Sequence, residues 1–164
     1  MLIKSARHAA AALALVLFAI PAAQAQTTAT QTATFAVNAI NQIAFVGAPS
    51  MTITTAVAGS APTSVTDALS TWAVTTNQTG AKITASIASN MPAGLTLSST
   101  LAAPAGATSA GIKALSTVAV DMVTVITKLA QGGLVVTYTL DATPLAGVIT
   151  SATRVVTYTI SGGA

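Results

Sequence analysis

The chain contains no cysteine and no glutamate, it has one histidine, and only 5% of its 164 residues are charged. Each shortage excludes a class of chemistry. Without cysteine there is no disulfide and no thiolate, so stability has to come from packing and backbone pairing alone, even in a compartment that would permit disulfides. The same absence rules out a lipobox cysteine and the acyl anchor that would follow from it. The one histidine, His8, lies in a leader segment expected to be removed, so Ser-His-Asp and Cys-His catalysis have no base within one mature chain. A serine–lysine dyad of the S-x-x-K type is missing too, because Thr79, Ala110 and Val125 stand three positions before Lys82, Lys113 and Lys128. Paired carboxylates for glycoside hydrolysis would have to be two of the three scattered aspartates, Asp67, Asp121 and Asp141. Those aspartates fall near loops or turns, where hydrogen bonding to the local backbone is their ordinary role. Transition metals would lack His and Cys ligands, and no D-x-D-x-D-G loop offers the oxygens that calcium needs. The expectation is a protein that is not an enzyme and uses neither metal nor cofactor.

What is present begins with a leader. Lys4 and Arg7 form a basic start, Ala9 to Ile20 an apolar run, Pro21 a break, and Ala23-Gln24-Ala25 a small-x-small cleavage site. This is the pattern of a bacterial secretory signal peptide over residues 1–25, cleaved before Gln26. The apolar run is shorter than the roughly 20 residues a spanning helix requires, so no membrane span is expected in the mature chain. The protein is accordingly expected to pass through the periplasm to the cell surface or the medium. Removal of the leader takes Lys4 and Arg7 from the formal charge of +3, leaving four cations against three anions. No basic patch remains to bind phosphates, and nucleic acid is excluded as a partner.

Abundant Thr, Ser, Ala and Val then favour strands, where β-branched side chains pack well. The first stretch of the mature chain alternates clearly. From Thr27 to Ile40, Ala29, Ala33, Phe35, Val37 and Ala39 share one parity, interrupted only by Gln31, while Thr28, Thr30, Thr32, Thr34 and Asn38 share the other. Such alternation predicts a half-buried strand, since successive side chains point to opposite faces of the pleat. Further strands are predicted at Asn41 to Gly47, Met51 to Thr55, Ser70 to Thr76, Lys82 to Ser89 and Leu95 to Leu101. Asn77-Gln78-Thr79-Gly80 reads as a hairpin turn joining Ser70–Thr76 to Lys82–Ser89. Ala56 to Asp67 and Ala103 to Gly111 read as loops. Between Lys113 and Lys128, the spacing of Leu115, Val118, Met122, Val125 and Leu129 suits a helix, whereas the β-branched content opposes one. A strand near Ile112 to Thr117, followed by a helical turn over Val120 to Val125, is the reading that accommodates both.

The end of the chain holds a near-repeat, Val135-Val136-Thr137-Tyr138-Thr139-Leu140 and Val155-Val156-Thr157-Tyr158-Thr159-Ile160. The gap between the copies is too short for a crossover helix, which predicts neighbouring antiparallel strands. The mature aromatics Phe35, Phe45, Trp72, Tyr138 and Tyr158 all fall on the apolar parity of their strands. They read as core residues rather than as stacking platforms for sugars, and Trp72 is expected to meet the tyrosines between two sheets. Asn77-Gln78-Thr79 matches a glycosylation sequon, which in a bacterial secreted chain reads as coincidence. An eight-stranded membrane barrel would alternate in the same way, but the aromatic girdles it needs are missing.

Two stretches carry a family resemblance. Pro144-Leu145-Ala146-Gly147-Val148-Ile149-Thr150, followed by Arg154 to Ile160, resembles the ending of spore-coat-U-like and chaperone–usher pilin-like domains. The alternating Thr-rich strand directly after signal cleavage looks like the donor extension of such subunits. The resemblance implies an Ig-like sandwich lacking one strand, a groove filled by a neighbour's N-terminal extension, and a periplasmic chaperone as a further partner.

Together these readings predict an all-β, Ig-like antiparallel sandwich of about eight strands, with residues 26–40 as an N-terminal strand and 41–164 as the domain. The expected core is Phe35, Val37, Phe45, Ile53, Trp72, Val74, Ile83, Ile87, Leu95, Leu97, Val136, Tyr138, Leu140, Val156, Tyr158 and Ile160. The expected function is that of an extracellular structural subunit, assembling into homo-oligomers or filaments by β-strand addition. Ala29, Ala33, Phe35, Val37 and Ala39 would enter the next subunit's groove. A monomeric secreted adhesion or carbohydrate- or protein-binding module, presenting its loops, is the alternative.

Overall fold

The computed structural model describes residues 27–163, so the expected signal peptide and its cleavage site lie outside the described residues. The chain divides into two compact units, Met1–Ala36 and Val37–Ala164. Of the first unit, residues 27–36 are described; they form no strand, and every one is exposed.

The second unit is all-β. Its strands are β1 (Asn41–Val46), β2 (Val65–Thr76), β3 (Ala81–Ile87), β4 (Leu95–Leu101), β5 (Thr108–Ser109), β6 (Lys113–Ala114), β7 (Val120–Ile126), β8 (Leu129–Ala142) and β9 (Val156–Ser161). They build two antiparallel sheets, ordered β1-β2-β8-β4-β6 and β5-β7-β3-β9. The sandwich expected from the sequence is therefore present, with nine strands rather than about eight. Among the described residues, only β1 and β2 are consecutive strands paired in one sheet; every later connection passes from one sheet to the other.

That crossing pattern overturns two expected pairings. The turn at Asn77 to Gly80 does not close a hairpin, because β2 pairs with β1 and β8 while β3 pairs with β7 and β9. The two copies of the near-repeat are not neighbours either: β8 lies between β2 and β4, and β9 forms the edge beside β3. Their apolar parities both point inward, so the copies face each other across the core instead of pairing along an edge. Both errors have one cause. Alternation tells which side of a strand is buried but not which strand lies next to it.

The helical turn expected over Val120 to Val125 is strand β7, and the strand expected over Ile112 to Thr117 shrinks to β6. Register shifts between Ala81 and Thr84 mark a bulge in the β3–β7 pairing, and Met122 and Val123 are both buried in consequence. A bulge breaks strict alternation. It thereby produced the spacing that imitated a helix. Met51 to Thr55, expected as a strand, has no ladder partner among the described residues, while Met51 and Ile53 are half-buried. The expected loops are shorter than read, with β2 starting at Val65 and β5 lying inside 103–111.

The core comprises Trp72, Val74, Ile83, Ile87, Leu97, Val136 and Tyr138 from the expected set, joined by Leu101, Leu115, Met122, Val123, Ile126 and Leu134. Phe45, Val156, Tyr158 and Ile160 pack against it partly buried. Phe35 and Val37 do not belong to it: they are 91% and 79% exposed. The buried core is built from other side chains.

Candidate functional site: a cleft and the root of the extension

A cleft of about 780 Å3 opens at one end of the sandwich. One wall is the extended segment 49–56, which turns Met51 and Ile53 inward; the opposite wall is the loop 143–154 with Val156 at the start of β9. Leu95 and Leu97 of β4, and Tyr138 and Leu140 of β8, supply its floor. Ala56 bridges Pro62 and the Thr55 carbonyl accepts from the Thr63 amide, whereas residues 49–54 have no strand partner among the described residues. Also among them, β9 pairs with β3 alone. The backbone groups along such an edge are open to another strand.

The lip is held by local hydrogen bonds. Arg154 donates from Nε and Nη2 to the Asn90 carbonyl, at 3.1 and 3.0 Å, and from Nη1 to its neighbour Thr153 at 2.8 Å. The Thr143 amide donates to the Gly94 carbonyl at 2.8 Å. Gly94 has φ +78°, and a Cβ there would run into the backbone of Leu145 and Ala146, so only glycine allows the loop to close against β4.

Behind the floor the two sheets are joined by hydroxyls and rings. The Tyr158 hydroxyl donates to that of Tyr138 at 2.9 Å, and Ser99 Oγ lies 3.2 Å from the Tyr158 oxygen. Since Tyr158 has one proton to donate, Ser99 is the donor of the second bond. Burial pushes the Tyr138 phenol well above its ordinary range and also raises Tyr158. Phe45 stacks on Tyr158 with centroids 4.0 Å apart and on Trp72 at 5.9 Å. The expected meeting of Trp72 with the tyrosines is thus made through Phe45. Trp72 Nε1 has no hydrogen-bond partner among the described residues.

At the opposite end of the domain, Asn77 holds the chain just before β1. Its Nδ2 donates to the Asn38 carbonyl at 2.7 Å, its Oδ1 accepts from the Ile40 amide at 2.8 Å, and its own amide donates to the Ile40 carbonyl at 3.2 Å. The side-chain nitrogen that a glycan would need is engaged in one of these bonds. Beside it, Asn41 Nδ2 donates to the Gly162 carbonyl at 3.2 Å, tying β1 to the end of β9.

The remaining charged groups are dispersed. Lys82 and Asp121 form an ion pair of 2.9 Å with both side chains about half exposed, a geometry that contributes little stability. Asp67 accepts from the Leu69 amide at 3.1 Å and the Ser50 amide at 3.4 Å, and Asp141 accepts from Ser64. Among the described residues no cluster of three His, Asp or Glu side chains could hold a metal. Also among them, no helix is long and apolar enough to cross a membrane.

The residues singled out from the sequence, Ala29, Ala33, Phe35, Val37 and Ala39, are all exposed and belong to no strand. The sequence reading missed the cleft and the Asn77 clamp. The signal for the cleft was available in Met51 and Ile53, an alternating pair followed by Pro and Gly turns with no evident partner. Comparison with protein-family models, with curated proteins and with solved structures returned no match.

Proposed function

We propose that the protein is an extracellular structural subunit that polymerises by β-strand addition, with the exposed stretch around Ala29, Ala33, Phe35, Val37 and Ala39 of one copy entering the cleft of the next. The observation that carries the reading is the cleft itself, lined by apolar side chains interspersed with hydroxyls and bounded by residues 49–54 and β9, which have free edges among the described residues. An extended segment laid between them would find main-chain hydrogen bonds on either side and apolar floor beneath. The exposed alternating stretch has the composition for that role, with small alanines and two larger side chains, Phe35 and Val37.

The location of the cleft supports a filament over a closed dimer. The extension is rooted at Asn38 to Ile40, and the cleft lies at the other end of β2, twelve residues and roughly 35 Å away. A donor at one end and an acceptor at the other make a head-to-tail contact, which grows into an open polymer unless the rotation closes a ring. The charge-poor surface removes one common barrier to such association. Secretion through the periplasm, and a chaperone that covers the cleft on the way, belong to the same proposal.

The test uses mature protein beginning at Gln26. Sedimentation and negative-stain microscopy are expected to show filaments, and Phe35→Asp is expected to leave folded monomers. A wild-type chain that stays monomeric at high concentration, and does not bind a peptide of residues 27–40, would refute strand addition. Specific retention of a glycan or protein in the cleft by that monomer would instead establish a binding module.

A further inference from the structure

We infer that Asn77 is a positioning residue that keeps the extension from filling its own cleft, and so commits it to another copy. The inference rests on the strand-addition reading. Three hydrogen bonds link Asn77 to the Asn38 carbonyl, the Ile40 amide and the Ile40 carbonyl, and they fix the backbone ahead of β1 as if the β1–β2 ladder continued by one more pair. In the mature chain beginning at Gln26, residues 26–37 precede the clamp, and twelve residues span at most about 43 Å when fully extended. That is close to the length of the sandwich, so a clamped extension folding back reaches the near lip of its own cleft with its first residues only. Insertion into a second copy does not require the clamp at Asn38 and Ile40 to open, because that copy's cleft can approach freely. Freeing residues 38–40 would add about 10 Å of reach and make self-insertion an intramolecular competitor.

Asn77 has no other evident duty. Its position between β2 and β3 is a turn that many polar residues could fill. Its Oδ1 also accepts from Gln78 Nε2 at 2.6 Å, which orients the amide for the two bonds to the extension's root.

The experiment compares wild type, Asn77→Ala, Asn77→Asp and a wild-type chain carrying Gly-Ser-Gly inserted after Val37. Asn77→Asp retains the acceptor for the Ile40 amide and loses the donor to Asn38. The insertion lengthens the reach and leaves the domain untouched, so a purely structural role for Asn77 would not move it. Hydrogen exchange on monomers is expected to speed up at Ile40 by about tenfold in Asn77→Ala, as for loss of one hydrogen bond, with Asn41 to Val46 still protected. Sedimentable polymer is expected to fall severalfold in Asn77→Ala and in the insertion variant, less in Asn77→Asp. The monomers that accumulate should no longer bind a fluorescent peptide of residues 27–40, since their clefts are occupied. Unchanged exchange at Ile40 overturns the clamp. Faster exchange with undiminished polymer, or an insertion variant that polymerises like wild type, overturns the positioning role. A wild type that neither polymerises nor binds the peptide fails the strand-addition reading itself, a result distinct from either.

Discussion

The hydroxyls of Tyr138 and Tyr158 meet 2.9 Å apart between the two sheets, one tyrosine from each copy of the near-repeat. With Ser99 they form a chain of three hydroxyls that crosses the core directly behind the cleft floor.

Removing one member should leave another unpaired in a dry site. Tyr138→Phe takes away the acceptor for Tyr158, and Tyr158→Phe takes away both the donor to Tyr138 and the acceptor for Ser99. Each is expected to cost about 1–2 kcal/mol in denaturant unfolding. The double variant should cost less than the two singles summed, because the second substitution removes a group the first had already orphaned.

Alkaline pH acts on the same pair. Burial raises both phenols above the ordinary value of 10.0. Below that value both states hold their protons and stability is constant in this respect; above it the unfolded chain loses protons that the folded chain keeps. Stability therefore falls as pH rises past about 10. Thermal melts between about pH 8 and 11.5 should show a flat region and then a decline. Both single Tyr→Phe variants should decline less steeply.

Gly94→Ala should damage the cleft wall in particular. The substitution imposes a strained φ and sets a methyl against the backbone of the Leu145–Ala146 turn. A loss of about 2 kcal/mol or more is expected, together with rapid amide exchange at Thr143, whose bond to Gly94 closes the lip. Exchange in β3 and β7 should change only with global stability.

Val125 offers the reverse case. It is a β-branched residue held at φ 61° near the end of β7, and its side chain is largely exposed. Val125→Asn keeps the surface and suits the left-handed backbone, so a gain of about 1 kcal/mol is expected from calorimetry. An unchanged or lower midpoint would show that the valine side chain contributes more than the strain removes.

Much of the strand content was legible because it is local. β4 begins and ends where alternation and the Pro92–Gly94 turn say it should, and β3 and β9 differ from expectation by one or two residues. Which strands pair was not legible. The Asn77–Gly80 turn looks like any hairpin turn, and only the inward set of both sheets together shows that the chain leaves one sheet there. Thr27 to Ile40 shows the opposite limit. Its alternation is real in the sequence, yet β1 starts only at Asn41, and the preceding residues find no burial of their own.

The order of strands has a consequence for how the chain reaches its folded state. β3 is flanked in its sheet by β7 and β9, and its register with β9 joins residues as far apart as Lys82 and Ser161. Nearly the whole chain must be present before that sheet can close. During synthesis the apolar face of β3 stays open until the last strand arrives, and contacts of such long sequence separation form slowly. Folding competes with premature sticking over that interval, and the arrival of β9 decides when it ends.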